Sequence, residues 1–191
     1  MGWQGDHPSS DFRGGGFLAL ECLIYFAEKK PLAFQRLCFK MQGVRSDWEY
    51  PFAAAGVNIT FLLTKVFDLK PSQAADHASS AFDEVTPPGS AAGRAFAAML
   101  ADPPSGRGQE NGAPAATVSS SSSSVAPPAE ASFVFEEIFC LTFELLDRIW
   151  LEEKADYMQF PNVLKKVEDV LTKAMAKAPK TTAELSELFQ N

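Results

Sequence analysis

The sequence predicts an all-α fold, and three observations carry that prediction. Apolar residues recur three and four apart along the main patterned stretches. No stretch alternates convincingly at period two. Prolines stand where helices should start and stop. The chain has 191 residues, 46% hydrophobic, with 16 Phe, which is enough for one domain with a phenylalanine-heavy core.

The elements follow in order. Residues 1–16 read as a loop. Phe17 to Lys30 reads as a first helix, with Leu20, Leu23, Ile24 and Ala27 at helical spacing. Pro31 suits the first turn of a second helix, running to about Met41. Gly43 to Tyr50 is a polar, charged connection. Pro51 opens a third helix to about Leu69, stopped by Pro71. Its expected core face is Phe52, Ala55, Ile59, Leu62, Leu63 and Val66, with Phe61 on a flank. Asn58-Ile59-Thr60 fits a glycosylation sequon but reads as part of this helix.

Residues 83–132 change character. Three proline pairs and the run Ser119 to Ser124 stand among few charges and few large apolar residues, which predicts a flexible, disordered insert. Within it Ala91 to Leu100 has the pattern of a short helix. The insert divides one helical domain into an N-terminal part, 1–82, and a C-terminal part, 133–191.

Phe133 to Glu153 is the strongest helix. One row is Val134, Ile138, Leu141, Leu145 and Ile149; beside it run Phe135, Phe139, Phe143, Leu146 and Trp150. Only a stripe through Glu137, Glu144 and Arg148 is polar, so this helix belongs at the centre of a bundle. Phe160 to Lys177 is more amphipathic, with Val163, Val167, Val170, Leu171 and Ala174 on one side. Thr181-Thr182-Ala183-Glu184 has the capping-box pattern and opens a last helix to about Phe189.

Composition narrows the function classes. A net charge of −7 gives no electrostatic footprint for nucleic acid and disfavours unaided binding to anionic membranes. No apolar run is long enough for direct membrane insertion, and the start lacks the basic region of a secretory signal. Met1-Gly2 suggests myristoylation, but Asp6 stands where the motif needs Ser or Thr. Cys22, Cys38 and Cys140 are odd in number and lie in apolar surroundings, as reduced, buried thiols of a cytoplasmic protein would.

Catalytic and cofactor signatures fail one by one. His7 and His77 lack metal-ligand spacing to cysteines or carboxylates. Gly14-x-Gly16-x-x-Ala19 fits a dinucleotide fingerprint in letters only, since no strand precedes it. Glu136-Glu137 and Glu152-Glu153 read as solvated helix edges. Neither a Walker A sequence nor a nucleophile elbow is present. The expectation is a chain that is not itself an enzyme and takes neither metal nor cofactor.

One segment stands out: Trp3-Gln4-Gly5-Asp6-His7-Pro8-Ser9-Ser10-Asp11-Phe12-Arg13-Gly14-Gly15-Gly16. Three glycines directly after Arg13 allow a backbone to approach another surface closely. A guanidinium there can enter a partner's phosphate site, because it is always charged and matches phosphate oxygens. Gly14 to Gly16 could also form an anion-binding nest. On the residues alone, the reading that Arg13 pairs with Asp11 or bonds backbone carbonyls and simply orders the loop is the favoured one.

This segment resembles the signature of the ELMO domain, through Trp3, Gln4, Gly5, Pro8, Asp11, Phe12, Arg13, Gly14 and Gly16. The resemblance continues in Leu20 to Glu28 and in Tyr50 to Thr60, with a looser echo from Phe139 to Glu152. It implies regulation of small GTPases. In one branch of that family the matching arginine is the proposed catalytic arginine that accelerates GTP hydrolysis on Arf and Arf-like GTPases, and this role falls on Arg13. The partner it implies is the GTP-bound GTPase. Asp11 would orient Arg13 or cap the first helix. Phe12 would anchor the loop, and Trp3 would pack beside it or touch the GTPase. Gln4, Gly14 and Gly16 complete the supporting set.

The pattern departs from the family in three places. Helical sequence is expected before Trp3, so the chain reads as truncated at its N-terminus. Gly15 stands where a larger residue, often Met, is expected, and the long insert is unusual. The competing reading is a scaffold without catalysis, as in family members that bind a Rac exchange factor.

Overall fold

The computed structural model describes residues 16–38, 49–69, 89–101 and 133–190. Seven α-helices run through them: α1 (Gly16–Lys29), α2 (Pro31–Cys38), α3 (Phe52–Val66), α4 (Ala91–Ala101), α5 (Val134–Glu153), α6 (Phe160–Ala176) and α7 (Thr182–Gln190). A 3₁₀ turn, Tyr157–Gln159, leads into α6. Among the described residues there is no strand, as the all-α expectation requires.

α5 is the hub. It packs on α1, α3, α6 and α7, and Ile138, Phe139, Phe143, Leu146 and Trp150 are fully buried on it. The apolar rows predict this, since a helix with only a narrow polar stripe can satisfy itself nowhere but the middle. Leu141 is the exception and is half-buried. Phe143 stacks on Phe52 of α3 at 4.8 Å and also meets Phe26 of α1 at 5.7 Å. Aromatic rings thus join three helices at one point.

α3 matches its expected core face at every position, and Phe61 is exposed. Ala53, Val57 and Thr60 are buried as well, so α3 is more enclosed than a single face implies. The Asn58 amide donates to the Ala54 carbonyl and the Thr60 hydroxyl to the Gly56 carbonyl, which places the sequon inside the helix. Pro51 precedes α3 as its N-cap residue. The far end differs from expectation: α3 stops at Val66, before Leu69 and Pro71. Asp68 takes a left-handed φ of 56°, and the amides of Asp68 and Leu69 return to the Lys65 and Thr64 carbonyls. This closing motif ends the helix without any proline.

α1 is correctly bounded but turned. Its buried residues are Ala19, Cys22, Leu23 and Phe26, while Ile24 is exposed and Leu20 and Ala27 are half-buried. Both rows have helical spacing, and α1 is apolar on several sides, so period alone does not choose between them. Pro31 begins α2 as expected; the end expected near Met41 lies outside the described residues. So does most of the connection 43–50, but Tyr50 is buried there, not part of a solvated link.

The helix predicted at 91–100 forms as α4, and it is packed into the core. Ala92, Ala95, Phe96 and Met99 are buried, and α4 packs along α6. Phe96 stacks face to face on Phe67 at 4.6 Å, and Phe135 meets both rings edge-on. Ser90 caps α4 by accepting from the Gly93 amide, and its hydroxyl donates to the Val66 carbonyl. The rest of 83–132, apart from Gly89 to Ala101, lies outside the described residues.

At the C-terminal end, α6 buries Val163, Val167, Leu171 and Ala174 as expected, with Val170 half-buried. Thr181 caps α7 through the Glu184 amide, and the Glu184 carboxylate reaches back to the Lys180 amide, one residue before the place a strict capping box would use. Asp156 and Gln159 form a reciprocal capping box that the sequence reading does not include.

Candidate functional site

Trp3, Gln4, Asp11, Phe12, Arg13 and Gly14 lie outside the described residues. Gly16 is the first residue of α1. Arg13 stands three positions before Gly16 in sequence, so α1 is the described element nearest to it along the chain.

Two features hold α1. The first is a close approach of α1 and α3 at Gly56. A Cβ there would stand 2.8 Å from Leu23 Cδ2 and 3.3 Å from Phe143 Cε2. Only hydrogen fits between these helices, which is the physical reason for a glycine in the middle of α3. The second is polar. Tyr25 Oη donates to Glu137 Oε1 at 2.6 Å, and Lys30 Nζ pairs with the other Glu137 oxygen at 2.8 Å. One carboxylate of α5 thus takes both groups from the α1 segment. Burial raises the Tyr25 pKa, and the bond to Glu137 raises it further. Burial works against the Lys30 charge, yet the hydrogen bond and charge of Glu137 carry its pKa above the ordinary value. Glu137 is therefore a structural anchor, where the sequence suggested a solvated edge.

The thiols confirm a dry interior. Cys22 and Cys140 are buried and unbridged; Cys38 is half-buried. Burial pushes the Cys22 thiol up, with nearby Glu136 adding to the effect. It pushes Cys140 up to about 12. Neither is poised as a nucleophile.

Sequence reasoning missed a second buried contact. Tyr50 Oη donates to Asp147 Oδ1 at 2.9 Å, and the Tyr50 ring meets Trp150 edge-on at 5.1 Å. This bond pins the entry to α3 onto α5. Asp147 was the available signal, being an acid in the otherwise apolar part of that helix.

Of the surface grooves among the described residues, two border α3 or α1. One, of about 250 Å³, runs between the start of α3 and the 3₁₀ turn, where Tyr157 and Met158 are exposed. The other, of about 370 Å³, borders the outer side of α1 and the start of α5, with Glu21, Ile24, Glu28, Phe133 and Glu136 in its wall. Among the described residues no group of three or more His, Cys, Asp or Glu is placed to hold a metal ion. No helix among them is long and apolar enough to cross a membrane.

Known proteins give the family. The chain is 28% identical over 189 residues to ELMO domain-containing protein C of Dictyostelium discoideum, which covers 99% of this chain and 24% of that protein. It is 39% identical over 79 residues to ELMO domain-containing protein 1 of Bos taurus, covering 32% of this chain and 24% of the relative. It is 24% identical over 187 residues to human engulfment and cell motility protein 3, covering 97% of this chain and 20% of that protein. The chain thus spans about a quarter or less of these relatives' length. No solved structure matches it. The ELMO/CED-12 family pattern matches residues 1–164, a span that includes the Arg13 segment and α1 through the start of α6, and the chain belongs to that family.

Proposed function

We propose that this chain activates GTP hydrolysis on a small GTPase of the Arf or Arf-like class by inserting Arg13 into the partner's nucleotide site. The observation that carries the reading is Asp11-Phe12-Arg13-Gly14-x-Gly16, inside the family match and joined directly to a helix anchored in the core. The chemistry asks the activator for neither a nucleophile nor a metal. GTP hydrolysis moves charge onto phosphate oxygens, and the GTPase already holds GTP, Mg²⁺ and water. A guanidinium supplied in trans offsets that charge and raises the rate by roughly 10³–10⁵. The reading places the protein in the cytoplasm, where GTP-loaded GTPases are met.

Likeness to engulfment and cell motility protein 3 along 97% of the chain favours a second reading, a scaffold that binds a GTPase regulator such as a Rac exchange factor without catalysis. Single-turnover GTP hydrolysis by a panel of Arf and Arf-like GTPases separates the two. Acceleration by the wild-type chain, lost in Arg13→Lys, is expected, because lysine keeps the charge but not the planar fork. A folded wild-type chain that leaves every rate unchanged would support the scaffold.

A further inference from the structure

We propose that the outer face of α1, continued by Phe133 and Glu136 at the start of α5, is the surface on which the GTPase docks, met by basic side chains flanking an apolar patch on that partner. This rests on the reading of Arg13 as a group acting in trans.

The first argument is reach. Arg13 stands four positions before Phe17, and four extended residue steps span at most about 14 Å. A partner that receives Arg13 must therefore stand against the N-terminal end of α1. The second is what α1 displays there. Phe17, Glu21, Ile24 and Glu28 follow one another at spacings of four, three and four, so they form one stripe along the helix. Phe17 is 75% exposed and Ile24 48%, and Phe133 adds 47% beside them. Large apolar side chains grouped in this way on a bundle with a full core mark a contact surface.

The third argument fixes the partner's chemistry. Glu21 and Glu28 alternate with the apolar residues, and Glu136 stands across the groove. None of the three carboxylates is in an ion pair among the described residues. Lys29 is the one basic side chain in the groove wall. An apolar stripe edged by uncompensated carboxylates selects a surface that carries Lys or Arg around an apolar centre. The fourth argument is rigidity. Behind the stripe, Leu23 is locked against Gly56, and Tyr25 and Lys30 hold Glu137. A partner seated on this face meets a surface that is already ordered, which saves ordering entropy.

The test measures binding of the full chain to GTPases loaded with a non-hydrolysable GTP analogue, and hydrolysis kinetics with GTP. The double charge reversal Glu21→Lys with Glu28→Lys is expected to weaken binding at least tenfold and raise KM to match, with the salt dependence reduced. Ile24→Ser, which leaves charge alone, should weaken binding several-fold. Asp169→Lys, on the exposed side of α6, should bind like wild type. Circular dichroism confirms that each variant is folded. Folded α1 variants that bind within twofold of wild type overturn the proposal, as does a wild-type chain that binds no GTPase of the panel. The two readings fail separately: if Arg13→Lys still accelerates hydrolysis while the α1 variants lose binding, the finger is refuted and the docking face stands.

Discussion

Cys22 on α1 and Cys140 on α5 are both sealed from water, and Cys140 lies near enough to oppose ionisation of Cys22. The folded chain therefore holds these thiol protons more tightly than the unfolded chain does. A pKa raised in the folded state contributes stability that is complete below the unfolded value and lost as pH climbs toward the folded one. For Cys140 that window runs from 9.0 to about 12. Tyr25 and Lys30 are shifted in the same direction, so their contributions decline with pH as well. Denaturant midpoints measured at pH 8 and again well above pH 9 should fall, and an unchanged midpoint would refute the shift. At pH 8, alkylation of the native protein followed by mass spectrometry should label half-buried Cys38 well before Cys22 or Cys140, since the thiolate is the reactive form. The sequence showed that these thiols were apolar in setting. It could not show that two of them, 118 positions apart by their numbers, share one interior.

At the scale of elements, helix existence was legible and helix rotation was not. α3 and α5 could be read almost position by position, Leu141 and the extra buried residues of α3 apart, because their apolar rows are wide and their polar residues few. α1 was misrotated by one residue, because Leu20, Ile24 and Ala27 offer the same period as Ala19, Cys22 and Phe26. What settles the choice is the neighbour. Gly56 leaves a slot for Leu23, and the Glu137 carboxylate takes Tyr25. Gly56→Ala tests this directly. Alanine is the better helix former by about 1 kcal/mol, yet its methyl group would stand 2.8 Å from Leu23 Cδ2. Overpacking of this kind costs about 1–3 kcal/mol. A net loss of stability is expected in chemical denaturation, with a larger loss if α1 shifts; a gain would show that the helices have room to part. Helix α3 teaches the same lesson at its end. Pro71 was the visible stop signal, but Asp68 in a left-handed turn closes the helix first, with its carboxylate 3.2 Å from the Gly89 amide. That contact bridges to α4 and has no trace in local pattern.

For the molecule as a whole, α4 decides how the chain is divided. Composition alone places Ala91 to Leu100 within a low-complexity stretch, and small residues make it look dispensable. In the fold, small residues are what let it lie close against α6, while Phe96 fills the space between Phe67 and Phe135. Phe96→Ala should cost about 3–5 kcal/mol, the range for emptying a buried aromatic site. Thermal melts read this cleanly. A change below about 1 kcal/mol, the ordinary range for surface positions, would return α4 to the role of a loose connector.

The sequence by itself determined the fold class, seven helical segments and their approximate bounds, the central place of α5, and the family signature around Arg13. These follow from local periodicity, proline and glycine chemistry, and fixed residue order, all of which can be read within one stretch of chain. Only the tertiary structure decided which side of α1 faces inward, that α4 belongs to the core, that Glu137 and Asp147 are internal partners and not solvated acids, and that the outer stripe of α1 is left exposed. Each of these depends on what a distant segment presents across the gap, and burial and pairing are properties of two surfaces together.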